Sequence, residues 1–68
     1  MELSARNQFP GSVVSVRLGT VMAEVAIDIG GGNEIVSVIT RASAERLALR
    51  ERDRVTAVIK STEVLVAK

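Results

Sequence analysis

Neither a cysteine nor a histidine occurs among the 68 residues of this chain, and that absence restricts what it can fold into more than any other feature. A domain this small buries only ~60% of the surface its unfolded chain exposes. Scaffolds of such length are usually held together by disulfides, a structural metal or oligomerisation. Without cysteine or histidine the first two routes close, because disulfides and structural zinc depend on those side chains. Association between copies is the route left open, unless the core is unusually well packed.

Composition narrows the class further. Hydrophobic residues make up 47% of the chain and charged residues 25%, which excludes a disordered polar segment. The net charge of +1 supplies no basic field to draw in nucleic acid. No apolar run approaches the ~20 residues that span a membrane. The opening Met1-Glu2-Leu3-Ser4-Ala5-Arg6 lacks the apolar core of a secretory signal. The expectation is a soluble, cytoplasmic protein. Phe9 is the only aromatic residue, and the other apolar residues are mostly Val, Ile, Leu and Ala. Val and Ile favour pleated, half-buried surfaces.

Alternation places the strands. After the turn signal Pro10-Gly11, Ser12 to Leu18 reads as a first strand, with Val14, Val16 and Leu18 opposite Val13, Ser15 and Arg17. Gly19-Thr20 marks a break. Val21, Ala23, Val25, Ile27 and Ile29 then alternate with Met22, Glu24, Ala26 and Asp28, a second strand with one apolar face. Gly30-Gly31-Gly32-Asn33 supplies positive-φ residues for a hairpin loop, and Glu34 to Thr40 returns as a third strand. Thr40 to Leu47 is the one helix candidate, with Thr40 or Ser43 as its N-cap and Ala44, Leu47 and Ala48 at helical spacing. Arg50-Glu51-Arg52-Asp53 is a charged turn. Arg54 to Lys60 forms a fourth strand with Val55, Ala57 and Ile59 inward, and Glu63 to Ala67 a fifth after a bend at Ser61-Thr62.

Three strands, a short helix and two more strands predict an all-β, five-stranded OB-like Greek-key barrel, its helix between strands 3 and 4. Several strands are apolar on both faces, as in Val13 with Val14 and Val36 with Val38. A small barrel has one interior, so the surplus face points to subunit contact. With no repeat and no linker, residues 1–68 read as one unit. The start at Met1 and the end after the fifth strand favour a free protein over a piece of a larger one.

Catalysis has little to work with. His, Cys and Tyr are absent, and the carboxylates Glu24, Asp28, Glu45, Glu51, Asp53 and Glu63 are scattered over strand faces and turns. The glycine run lies between strands, not before a helix, so it reads as a hairpin turn and not as a phosphate loop. Two segments differ. Ser4-Ala5-Arg6-Asn7 and Lys60-Ser61-Thr62 each set a cation beside hydroxyl residues, the mixture an oxyanion site uses: charge from Arg or Lys, fixed donors from Ser and Thr. By pattern alone the blander reading, a polar tail and a surface lysine, outweighs this one.

Resemblance shifts the balance. Ser-Ala-Arg-Asn at 4 to 7, Gly-Thr-Val-Met-Ala-Glu-Val at 19 to 25, Ile39-Thr40 followed by Ser43, and Val55 to Thr62 together resemble the molbindin (Mop/TOBE) family. The likeness runs from Leu3 to Val66 in order and spacing. The family also appears as a molybdate-binding domain of some transport ATPases and of a molybdate-responsive repressor.

The resemblance implies an OB-like fold, a homo-hexamer built as a trimer of dimers, and molybdate or tungstate held at subunit interfaces with no organic cofactor. By position the family's ligands fall on Ser4 and Arg6, on Thr40 and Ser43 at the helix start, and on Lys60 with Ser61. It also implies a second class of anion site near the threefold axis, whose residues are not assigned in this chain. One departure is visible: the family usually has a glycine in the turn before the fourth strand, where this chain has Arg50-Glu51-Arg52-Asp53.

The implied mechanism is reversible capture of a tetrahedral dianion. Arg6 and Lys60 supply charge, because burying an unpaired dianion is prohibitive. Ser4, Thr40, Ser43 and Ser61 donate hydrogen bonds, helped by free N–H groups at the helix start. Bonds to charged groups contribute ~1.5–3 kcal/mol each, so several reach micromolar affinity, about −8 kcal/mol. Storage and homeostasis of the oxyanion is the function expected. The alternative is a regulatory or assembly OB-like domain cut from a molybdate transporter ATPase or molybdate-responsive repressor. A nucleic-acid-binding OB module ranks lower, because such modules stack bases on aromatics in a basic groove, and no membrane partner is expected. An enzyme is the least favoured class.

Overall fold

A computed structural model describes residues 4–68. β1 spans Asn7–Leu18, β2 Met22–Gly30, β3 Asn33–Thr40 and β4 Arg54–Ile59, with a helix α1 at Arg41–Arg46 and a 3₁₀ turn at Ser61–Glu63. The four strands form one antiparallel sheet in the order β3-β2-β1-β4. The fold is all-β and OB-like with one short helix, as expected. It is an open four-stranded sheet, however, and not a closed five-stranded barrel. Residues 64–68 are exposed and carry no strand, because within one chain they find no ladder to join.

β1 holds the sheet together. Its first half pairs with β4, from Asn7↔Ile59 to Ser12↔Arg54, and its second half with β2, from Ser12↔Asp28 to Leu18↔Ala23. The strand therefore starts five residues earlier than the alternation implied, and the Pro10-Gly11 pair lies inside it, not in a turn. Pro10 sits opposite Thr56, in the half of β1 that has no β2 partner, so its missing N–H costs no bond on that side. Gly11 is buried where β1 crosses β2. A Cβ there would collide with the carbonyl oxygen of Asp28 and lie 3.0 Å from Ile27 Cγ2.

A bulge between Val13 and Ser15 resets the alternation of β1. Val13 is buried, Val14 is turned out, and Val16 returns to pack on the core. Strict alternation had put Val14, Val16 and Leu18 on one face; the extra residue breaks that period. The core consists of Val13, Val25, Ile27 and Ala57, with Ile29, Ile35, Ile39, Leu49 and Val55 partly buried around it. No large side chain among the described residues is fully buried. Val36 and Val38 on the outer face of β3 stay 57% and 62% exposed, the surplus apolar face read from the sequence.

The connections follow their residues. Gly31 and Gly32, at φ 64° and 79°, make the two-residue β2–β3 turn, with Gly30 at φ 91°; positive φ at both central positions suits glycine. Thr40 caps α1. The helix ends in a Schellman motif: the Ala48 N–H donates to Glu45 O at 3.0 Å and Leu49 N–H to Ala44 O at 3.2 Å, with Ala48 at φ 51°, the position that glycine usually fills. Of the residues at helical spacing, Ala44 is buried and Leu47 is exposed at this helix end. The turn before β4 closes with Asp53 N–H donating to Arg50 O at 3.2 Å and places Arg52 at φ 74°. The departure from the family's glycine thus falls on a left-handed residue. Arg52 is held there because its N–H donates to Val13 O at 2.8 Å while Val13 N–H donates to Asp53 O at 2.9 Å.

Left-handed backbone costs a residue with a Cβ ~1 kcal/mol or more. Ala48→Gly and Arg52→Gly are each expected to stabilise the protein by about 0.5–1 kcal/mol after glycine's larger unfolded-state entropy is subtracted. In thermal unfolding this is a rise of a few degrees per substitution. A fall in Tm for either variant would contradict the assignment of strain.

Candidate functional site

The six residues singled out in the sequence do not converge in one chain. Arg6 precedes Asn7 and Lys60 follows Ile59, and Asn7 pairs with Ile59. Antiparallel partners lie ~4.5–5.5 Å apart at Cα, so Ser4, Arg6, Lys60 and Ser61 share one corner of the sheet. Arg6, Lys60, Ser61 and Ser4 are all exposed. Neither cation meets a carboxylate among the described residues, whose one ion pair is Arg41–Glu45 at 3.2 Å. Two like charges at the adjoining ends of neighbouring strands repel each other, and an anion bound between them removes that repulsion.

Thr40 and Ser43 lie elsewhere. Thr40 pairs with Met22 at the start of β2, beside the end of β1 at Leu18. The two sets therefore sit at opposite ends of β1, on the order of 30 Å apart along the strand. The Thr40 hydroxyl accepts from Ser43 N–H at 3.0 Å and donates to Ser43 Oγ at 2.8 Å. Ser43 Oγ also accepts from Arg46 Nη2 at 3.4 Å. With acceptor capacity taken up, the Ser43 hydroxyl hydrogen is the one turned to an outside acceptor. Thr40 thereby orients Ser43 more than it offers a donor of its own.

The expected free amides at the helix start are fewer than supposed. Arg41 N–H donates to Val21 O at 2.8 Å and Ser43 N–H is bound to Thr40, so two of the first three are engaged. Arg46 was missed in the sequence. Its signal was there, three residues after Ser43, the spacing that brings side chains together on a helix. Arg41, by contrast, is engaged with Glu45 and with the Gly19 carbonyl at 3.2 Å. No helix is long and apolar enough to cross a membrane among the described residues.

A small OB-like sheet with a hydroxyl pair at one end and a cation cluster at the other defines a compact binding module. Comparison with known proteins gives its family. The TOBE domain model matches residues 3–66. Molybdenum-pterin-binding protein 1 of Clostridium pasteurianum is 48% identical over 66 residues, which is 97% of each chain. The solved molybdate-binding protein from Sporomusa ovata superimposes with a TM-score of 0.93 at 41% identity, over 100% of both chains. The cytoplasmic molybdate-binding protein ModG superimposes with a TM-score of 0.85 at 44% identity over 90% of this chain and 43% of its own. The chain belongs to the TOBE-domain family, in its molbindin branch.

Proposed function

We propose that this protein binds molybdate or tungstate reversibly inside the cell, for storage and homeostasis, and holds the anion between subunits of a homo-hexamer without transforming it. The observation that carries the reading is the placement of Arg6 and Lys60 next to the Asn7↔Ile59 pair, where β1 begins and β4 ends, with neither in an ion pair with a carboxylate among the described residues. A tetrahedral dianion satisfies both charges, and Ser4 and Ser61 supply donors at the same corner. Thr40 and Ser43, at the other end of the sheet, meet that corner only on a second chain. Similarity to proteins named for binding molybdate and molybdenum-pterin supports the choice of ligand.

Selection against sulfate, of equal charge and shape but smaller, rests on a cavity that does not shrink. A site walled by two subunits resists collapse because neither wall relaxes alone. Titration calorimetry with molybdate, and sulfate as control, tests the reading. A micromolar or tighter Kd for molybdate with sulfate silent is expected, and at 100 Kd of free anion a stabilisation of about 2.7 kcal/mol. Absence of heat with molybdate and an unmoved melting temperature overturn it. A second reading, a module within a larger protein, is favoured by partial matches: the same unit covers 43% of the ModG chain and 24% of the molybdenum transport protein ModE of Azotobacter vinelandii.

A further inference from the structure

Thr40, Ser43 and Arg46 follow one another along α1 and its cap, at the three-residue spacing that brings helix side chains together. Thr40 Oγ1 accepts from the Ser43 N–H at 3.0 Å and donates its own hydrogen to Ser43 Oγ, 2.8 Å away. Arg46 Nη2 donates to the same Ser43 Oγ in a longer contact of 3.4 Å. A hydroxyl oxygen has two lone pairs and one hydrogen. Both lone pairs of Ser43 are thus taken by donors from its own helix and cap, and its hydrogen alone is left for a ligand. The other arginine of the helix, Arg41, is engaged with Glu45 and with the Gly19 carbonyl, each at 3.2 Å. Arg46 is exposed, Ser43 half-buried, and Arg46 meets no carboxylate among the described residues, so its charge is not cancelled locally.

We infer that Arg46 is a positioning residue of the anion site: it makes Ser43 a hydroxyl that donates and cannot accept, and so selects oxyanions that carry no proton. The inference rests on the anion reading above and names the class of ligand that this half of the site takes. Molybdate, tungstate and sulfate present only acceptor oxygens near neutral pH. Inorganic phosphate keeps at least one O–H there, and that hydrogen needs an acceptor. Facing a hydroxyl whose lone pairs are filled it stays unpaired, and a buried unpaired donor costs more than a made bond returns. Sulfate is therefore excluded by size and phosphate by its proton, two separate selections. Arg46 also strengthens the bond that Ser43 makes. Hydrogen bonds in a chain polarise one another, so a hydroxyl that accepts from a cation is the better donor. Neither effect requires the guanidinium to touch the anion.

Arg46→Met keeps the length of the side chain and removes its donors, whereas Arg46→Lys keeps a donor and the charge. The position is exposed, so both chains should fold. Calorimetry with molybdate, alone and against a background of inorganic phosphate, reads both roles. Arg46→Met is expected to bind molybdate about tenfold more weakly. Its preference for molybdate over phosphate is expected to fall by a further factor of about ten, because the freed lone pair of Ser43 accepts the phosphate hydrogen. Arg46→Lys is expected to recover most of both. A parental molybdate Kd in Arg46→Met, or a loss that leaves the preference over phosphate unchanged, overturns the inference. The bond itself is read without any anion, by nitrogen NMR relaxation at Arg46 Nε in the parent and in Ser43→Ala. Faster motion in the variant is expected, and unchanged motion overturns the inference. A parent that ignores molybdate while Ser43→Ala still frees Arg46 counts against the molybdate reading and leaves the Arg46–Ser43 arrangement standing.

Discussion

Mixing two inactive variants is expected to restore molybdate binding. One chain carries Arg6→Ala and Lys60→Ala, the other Thr40→Ala and Ser43→Ala; each is expected to bind molybdate at least 100-fold more weakly than the parent when alone. Removing a charged partner from a buried charge costs about 2–5 kcal/mol, and the proposed site sets two cations against one dianion, so the first variant is expected to lose the most. The recovery on mixing follows from where the residues lie. Arg6 and Lys60 flank the Asn7↔Ile59 pair, whereas Thr40 and Ser43 sit past the other end of β1. If a site takes one set from each of two chains, about a quarter of the sites in a randomly mixed symmetric oligomer are wild type in both sets. Calorimetric stoichiometry reads this directly. Recovery near a quarter at parental Kd is the expected result. No recovery after verified subunit exchange shows that the two sets do not form a shared site.

Gly11→Val is expected to be the most destabilising single substitution in the described chain. The new side chain meets the Asp28 carbonyl and Ile27 Cγ2, and the first of these is backbone in the central strand pair. Relief requires β1 and β2 to separate at Ser12↔Asp28. Overpacking a core costs about 1–3 kcal/mol, and more where backbone must move. A chain of this size has about 3–10 kcal/mol of stability. The variant should therefore lose most of its cooperative unfolding transition in urea, while Gly32→Val, with open space around its Cβ, loses only the ~1–2 kcal/mol due to φ 79°. A Gly11→Val midpoint within experimental error of the parent contradicts the close approach.

Much of this was legible in the order of residues. Alternation in β2 and β3, the glycine turn between them and the Thr40 cap are local: each depends on a period, a φ preference or a side chain reaching three residues along its own backbone. The candidate anion residues were named from residue type and family resemblance, and the shared corner of Ser4, Arg6, Lys60 and Ser61 followed once the Asn7↔Ile59 register was known. Pro10-Gly11 misled because a turn dipeptide and a strand dipeptide look alike until a partner strand is placed beside them. The Val13–Ser15 bulge was invisible, since one extra residue shifts every later side chain without altering composition.

By itself the sequence determined β2, β3, the hairpin between them and the short capped helix, all properties of neighbours along the chain. Only the tertiary structure decided that β1 is shared between two ladders, that Arg52 takes the left-handed turn position, and that Val64-Leu65-Val66 stays out of the sheet. It alone separated Thr40 and Ser43 from Arg6 and Lys60. The reason is physical: strand pairing joins residues distant in sequence, and which edges remain open depends on the whole ladder order.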